Sequence, residues 1–177
     1  MGNDVTPRRL SALPPLAPTT VQHIRESARR LPENHVILAR VFYQHLFEMA
    51  PQIRGMFPQD MSAQEEKLLQ AILAAVSALD DPAALEATLR RWGAAHQRVL
   101  GVTDSMYVYV GHALLRTVKL LLSDSSAVLS SWVAVYEWLA AVMISGAHEG
   151  ERARAAEAQT EPMGISRRRR WPDAAAR

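Results

Sequence analysis

The sequence contains no cysteine. That excludes disulfides, thiolate ligation of haem, cysteine-held iron–sulfur clusters and cysteine nucleophiles, and it fits a reducing compartment. No apolar run of about 18 residues is free of charge, so no segment is expected to cross a membrane. The N-terminal stretch has two arginines but no apolar region leading to a small-residue cleavage site. A secretory signal is therefore not expected, and the protein is read as cytoplasmic. Long period-two alternation and internal repeats are missing, which removes most β architectures and solenoids. A Gly-x-Gly-x-x-Gly dinucleotide fingerprint is also missing.

What is present is a chain of 177 residues, 49% of them hydrophobic, enough for one domain with a substantial core. The net charge of +2 is uneven: residues 151–177 hold seven arginines against four acids, a surplus of +3, and the remainder carries −1. A nearly neutral body gives poor support for nucleic-acid binding by the core. Residues 1–18, with four prolines, are expected to form a mobile arm, and residues 151–177, with RRRRW at Arg167 to Trp171, a solvated and disordered basic tail. The same arginines would also suit an anionic lipid, nucleic acid or acidic partner.

Between the tails, residues 19–150 read as all-α. Thr19 and Thr20 offer an N-cap, and Val21, Ile24, Ala28 and Leu31 form one helical stripe that Pro32 ends. Glu33 and Asn34 start a second helix with a broad face of Val36, Ala39, Phe42, Tyr43, Leu46 and Phe47. Pro51 opens a short helix that reaches Phe57. A long helix over Ala63 to Leu79 repeats Leu68, Leu69, Ile72, Leu73 and Val76. Asp80-Asp81-Pro82 caps the next, in which Leu85, Leu89, Trp92 and His96 share a face and Leu100-Gly101-Val102 makes the corner. Two further helices follow, Met106 to about Leu122 and Ala127 to about His148.

His96, near a helix end and on an apolar face, could present a neutral imidazole nitrogen to a buried iron. A lone histidine there equally serves as a helix-dipole partner or a solvated side chain. Gln64, Lys67 and Leu68 stand at i, i+3 and i+4 and share a face, and Tyr43, if buried, needs a partner for its hydroxyl.

The order and spacing of several short motifs narrow this. They are FYQHLF at Phe42 to Phe47, Ala50-Pro51 through Met56-Phe57, and QEEKLL from Gln64 to Leu69. His96 follows 32 residues after Gln64, with Gly101-Val102 to Leu114-Leu115 and the Trp132–Tyr136 pair beyond it. From about Thr19 to Gly150 the chain resembles a globin of the bacterial single-domain and flavohaemoglobin-like branch. The resemblance implies a globin fold, with helices lettered A, B, C, E, F, G and H around a haem pocket, and haem b as cofactor. It implies His96 as the proximal iron ligand, its second ring nitrogen on a backbone carbonyl of its own helix. Tyr43 and Gln64 would hydrogen-bond the gas ligand, Leu68 would line the distal wall, and Lys67 would reach a haem propionate. Phe57 would pack on the porphyrin, Trp92 would face the pocket, and Tyr107 would stand near the proximal histidine. Val102, Val110 and Leu114 would complete the wall, though a core stripe fits these three equally well.

Three departures bear on function. The stretch from His96 to Gly101 is one residue longer than the family pattern, Ala95 replaces a frequent lysine, and Ala147 falls where nitric-oxide-dioxygenating relatives have a proximal acid. The resemblance thus implies reversible binding of O2, NO or CO for carriage or sensing. The alternative is nitric oxide dioxygenase or other haem redox chemistry with a separate reductase, for which this chain has no length. A homodimer stays open.

Overall fold

A computed structural model describes residues 13–30, 36–122 and 125–160. Among the described residues six α-helices follow one another: α1 (Pro18–Arg29), α2 (Val36–Met49), α3 (Ser62–Ser77), α4 (Pro82–Leu100), α5 (Met106–Leu122) and α6 (Ser126–Thr160). A 3-10 helix, Pro51–Met56, joins α2 to α3, and a shorter one, Ala78–Asp80, joins α3 to α4. There is no strand among the described residues. The expected end of the first helix at Leu31 and Pro32, the expected start at Glu33 and Asn34, Ser123, residues 1–12 and the RRRRW segment lie outside the described residues.

The core forms where apolar faces converge. Ile24 of α1, Leu46 of α2, Val118 of α5 and Val142 of α6 are fully enclosed. Helices α1 and α6 are also joined by hydrogen bonds: Trp132 Nε1 donates to Ser27 Oγ at 3.1 Å, and His23 Nδ1 lies 2.9 Å from Ser131 Oγ. Tyr136 donates its hydroxyl to the Tyr107 carbonyl and so ties α6 to α5. The start of α4 is as expected, with Pro82 in its first turn and the Asp81 carboxylate accepting from Ala84 N–H at 3.1 Å.

The largest departure from pattern is where α4 meets α6. A Cβ on Gly93 would lie 1.9 Å from the Met143 carbonyl oxygen, and one on Gly146 2.2 Å from that of Arg90. The two helices therefore touch backbone to backbone. Along the same seam Arg90 pairs with Glu86 at 2.7 Å and with Glu149 at 2.5 Å, while Gln97 donates to Glu151 at 2.5 Å and accepts from Arg154 at 2.9 Å.

Three expectations are corrected. Helix α1 starts at Pro18, with Ala17 rather than a threonine at the N-cap. Residues 13–17 are no free arm, because Leu13 and Leu16 pack on the core. Helix α6 runs to Thr160 instead of stopping near His148. Its last turns are rich in alanine, glutamate and arginine, which sustain a helix without any apolar period. By length and composition alone α6 could span a bilayer, but half of its most apolar window is buried within the fold, as in a core helix.

Candidate functional site

The residues singled out from sequence fall into two groups on different elements. The first joins α2, the Pro51–Met56 turn and α3. Tyr43 is buried, and Gln64 reaches from α3 to donate its amide N–H to the Tyr43 hydroxyl at 3.0 Å. Because the phenol oxygen accepts this bond, the phenol hydrogen remains free to be donated elsewhere. Burial first, and the nearby Glu65 charge less strongly, raise the Tyr43 pKa above the usual phenol range against the opposing Gln64 hydrogen bond. The side chain is a neutral donor.

Aromatic rings hold it there. Tyr43 stacks on Phe47 with centroids 5.7 Å apart and meets Phe57 edge-on at 5.5 Å, while Phe47 and Phe57 are 5.3 Å apart. Arg54, which the sequence reading passed over, fixes the corner. Its guanidinium lies 5.1 Å from the Phe47 centroid and donates to the carbonyls of Phe57 at 3.1 Å and Pro58 at 2.9 Å. An arginine beside a glycine in a short polar turn gives no sequence signal for such a role.

The second group stands on α4. The buried Leu85 and Leu89 continue into Trp92, 38% exposed, and the half-buried His96, so the stripe leaves the core as it nears the helix end. His96 Nδ1 lies 2.8 Å from the Trp92 carbonyl oxygen. A carbonyl only accepts, so Nδ1 carries the hydrogen and Nε2 keeps its lone pair. The extra residue after His96 is absorbed as helix: α4 continues through Leu100, and Gly101, at φ +67°, turns the chain. Val102 N–H then reaches back to the His96 carbonyl at 3.3 Å. Such a left-handed conformation favours glycine.

The remaining residues take different depths. Leu68, Val102 and Val110 are half-buried and pack on the core, and Lys67 is exposed. Leu114 is buried and lines a cavity of about 50 Å³ with Ile72, Val76 and Tyr136. Tyr107 is buried, and desolvation with the charge of Asp104 pushes its pKa up to about 12. Asp104 itself pairs with His148 at 3.0 Å. Glu149 is held by Arg90, while the bonded nitrogen of His96 is taken by the Trp92 carbonyl. A surface groove of about 960 Å³, lined by Leu16, Val21, Arg25, Pro82 and Trp138 among others, lies at the α1–α4 junction and includes none of the predicted residues.

The chemistry of these side chains suits a haem. The imidazole has one nitrogen tied back and the other available, which is what an axial ligand needs. No cluster of three or more His, Asp or Glu among the described residues could hold a metal alone, so a metal bound at His96 would bring most of its ligands with it. Phe57, Leu68, Trp92, Val102 and Val110 keep part of their apolar surface uncovered, as a flat apolar ligand requires.

Comparison with known proteins gives one answer. The Globin family model matches residues 40–143. The flavohemoprotein of Bordetella pertussis is 31% identical over 135 residues and that of Bacillus cereus 29% over 133, each match covering 73% of this chain and 33% of the relative. The chain thus spans about a third of the length of these curated relatives. Among solved structures, a bacterial globin from Campylobacter jejuni superposes with a TM-score of 0.68 at 25% identity, covering 77% of this chain and 99% of that one. An engineered carbene transferase from Rhodothermus marinus, derived from a protein assigned as a nitric oxide dioxygenase, gives 0.67 at 29% identity, covering 81% and 99%. The chain belongs to the globin family.

Proposed function

We propose that the chain binds haem b and through it reversibly binds O2, with CO and NO as further ligands, in carriage or sensing of a gas. Haem would supply an iron centre that takes a diatomic ligand. His96 would hold that iron through Nε2, and Phe57, Leu68, Trp92, Val102 and Val110 would pack on the macrocycle. Lys67, exposed on α3, would pair with a propionate at the rim, while Tyr107 and Leu114 would back the pocket from the core.

The observation that carries this reading is the Gln64–Tyr43 hydrogen bond of 3.0 Å. It orients a buried, neutral phenol as a donor, and Gln64 retains a second amide hydrogen. Each donor would stabilise a polar gas ligand by about 1–2 kcal/mol. Optical spectra of the reduced protein with and without O2 and CO test the binding. Tyr43→Phe is expected to raise the O2 dissociation rate several-fold, and an unchanged rate would refute the role given to Tyr43.

A second reading is nitric oxide dioxygenase activity served by a separate reductase. It is supported by similarity to the flavohemoproteins and to the Rhodothermus marinus protein. Against it, His96 Nδ1 bonds a neutral carbonyl rather than a carboxylate, which gives a weaker electron push to iron. Sustained NO consumption with a reductant system supports the enzyme. One stoichiometric turnover followed by a halt supports the carrier or sensor.

A further inference from the structure

Glu65 follows Gln64 on α3, and no role above uses it except as a charge felt by Tyr43. Its side chain is 14% exposed and pairs with Arg40 at 4.0 Å, whereas the Arg40 side chain is 70% exposed. Arg40 and Tyr43 are three residues apart and share a face of α2. The two helices are thus linked twice side by side, by the Gln64 amide on the Tyr43 hydroxyl and by the Glu65 carboxylate opposite the Arg40 guanidinium. The Glu65 charge thus sits beside the Gln64–Tyr43 link and acts on the phenol, less strongly than burial and the Gln64 hydrogen bond do.

The two ions of that second link are not equivalent. Arg40 sits in water, where solvent and salt screen its charge. Glu65 is largely withdrawn from water, and at 4.0 Å its partner is at the limit of an ion pair. Solvent therefore screens the carboxylate less than it screens its partner. Tyr43 registers the carboxylate, since the Glu65 charge is among the causes that keep the phenol protonated, after burial.

We propose that Glu65 is a specificity-determining residue: its carboxylate behind Tyr43 turns the distal pocket against anionic ligands and in favour of neutral diatomic gases. The inference rests on the gas-binding reading above. A fixed charge repels azide through Coulomb's law and leaves carbon monoxide, which carries none, unaffected.

Glu65→Gln keeps the shape and removes the charge, and Glu65→Asp keeps the charge. Azide titration of the ferric, haem-loaded protein is expected to show affinity up to about tenfold higher in Glu65→Gln, the order of effect that removing one fixed charge has at an effective dielectric of about 20. CO affinity of the ferrous form stays within about twofold, and Glu65→Asp stays near the parent for both. In the haem-free chain, tyrosine 13Cζ NMR is expected to show Tyr43 titrating at lower pH in Glu65→Gln. Equal shifts in azide and CO affinity, or no azide shift, overturn the proposal and leave gas binding standing. A parent chain that takes up no haem, seen as no Soret band, overturns the gas-binding reading and this proposal together.

Discussion

His96 and Gln64 each resolve by one hydrogen bond an ambiguity that spacing leaves open. Steps of four, three and four put His96 on the stripe of Leu85, Leu89 and Trp92, but no periodicity fixes which ring nitrogen carries the hydrogen; the Trp92 carbonyl does. Gln64, Lys67 and Leu68 share a helical face in sequence, yet Lys67 ends in water while the other two are half-buried. A face about 100° wide reaches from core to rim, so residues on it differ in depth. Arg54 and Glu65 were not legible at all, because a charged residue in a polar stretch reads as solvated until the fold brings carbonyls or a phenol beside it. Tyr107 offers a test at this scale. Burial and the Asp104 charge raise it from 10.0 to about 12, so the folded state holds this proton longer than the unfolded chain does. Its contribution to stability is complete below about pH 10 and is lost as pH rises to about 12. Chemical denaturation at about pH 9 and about pH 11 is expected to show a smaller alkaline loss in Tyr107→Phe than in the parent. Parallel losses would remove the assigned cause.

Helices and their order were legible from period and caps, but contacts between helices were not. A glycine inside a helical pattern reads as a cost of about 1 kcal/mol against alanine, with no hint of purpose. Only the packed pair shows that Gly93 and Gly146 let α4 and α6 approach to backbone contact. The point matters for the site, since Gly93 precedes His96 by less than one turn. Gly93→Ala places a Cβ 1.9 Å from a backbone oxygen that no rotamer can move. The expected loss is ~3 kcal/mol in urea denaturation, at the upper end of overpacking costs. Gly55→Ala, with open space around the new methyl, is the control and is expected to change stability by about 0.5 kcal/mol or less. Equal effects at the two glycines would mean that α4 slides freely along α6.

Across the whole molecule, the fold was legible because motifs of little individual weight keep a fixed order and spacing. The limits of the folded part were not, since neither Leu13 and Leu16 in a proline-rich stretch nor the alanine-rich end of α6 carries an apolar period. The proposed site would be distributed over the chain: the stretch after the 3-10 helix would give Phe57, α3 Leu68, α4 Trp92, the corner Val102 and α5 Val110. Each leaves apolar area in water that a ligand would cover, at roughly 25 cal/mol per Å². A ligand that binds only the folded arrangement raises stability by mass action, about 4 kcal/mol at a thousandfold excess over Kd. At about 2–4 °C per kcal/mol for a domain of this size, adding hemin is expected to raise Tm by roughly 10 °C. His96→Ala is expected to lose most of that gain, because the macrocycle keeps its apolar contacts but not its axial bond. Leu120→Ala, on the exposed side of α5, is expected to keep it. Thermal melts with and without hemin decide the matter: a gain equal in the parent and in His96→Ala would mean that apolar contact alone holds the group and that His96 is not its anchor.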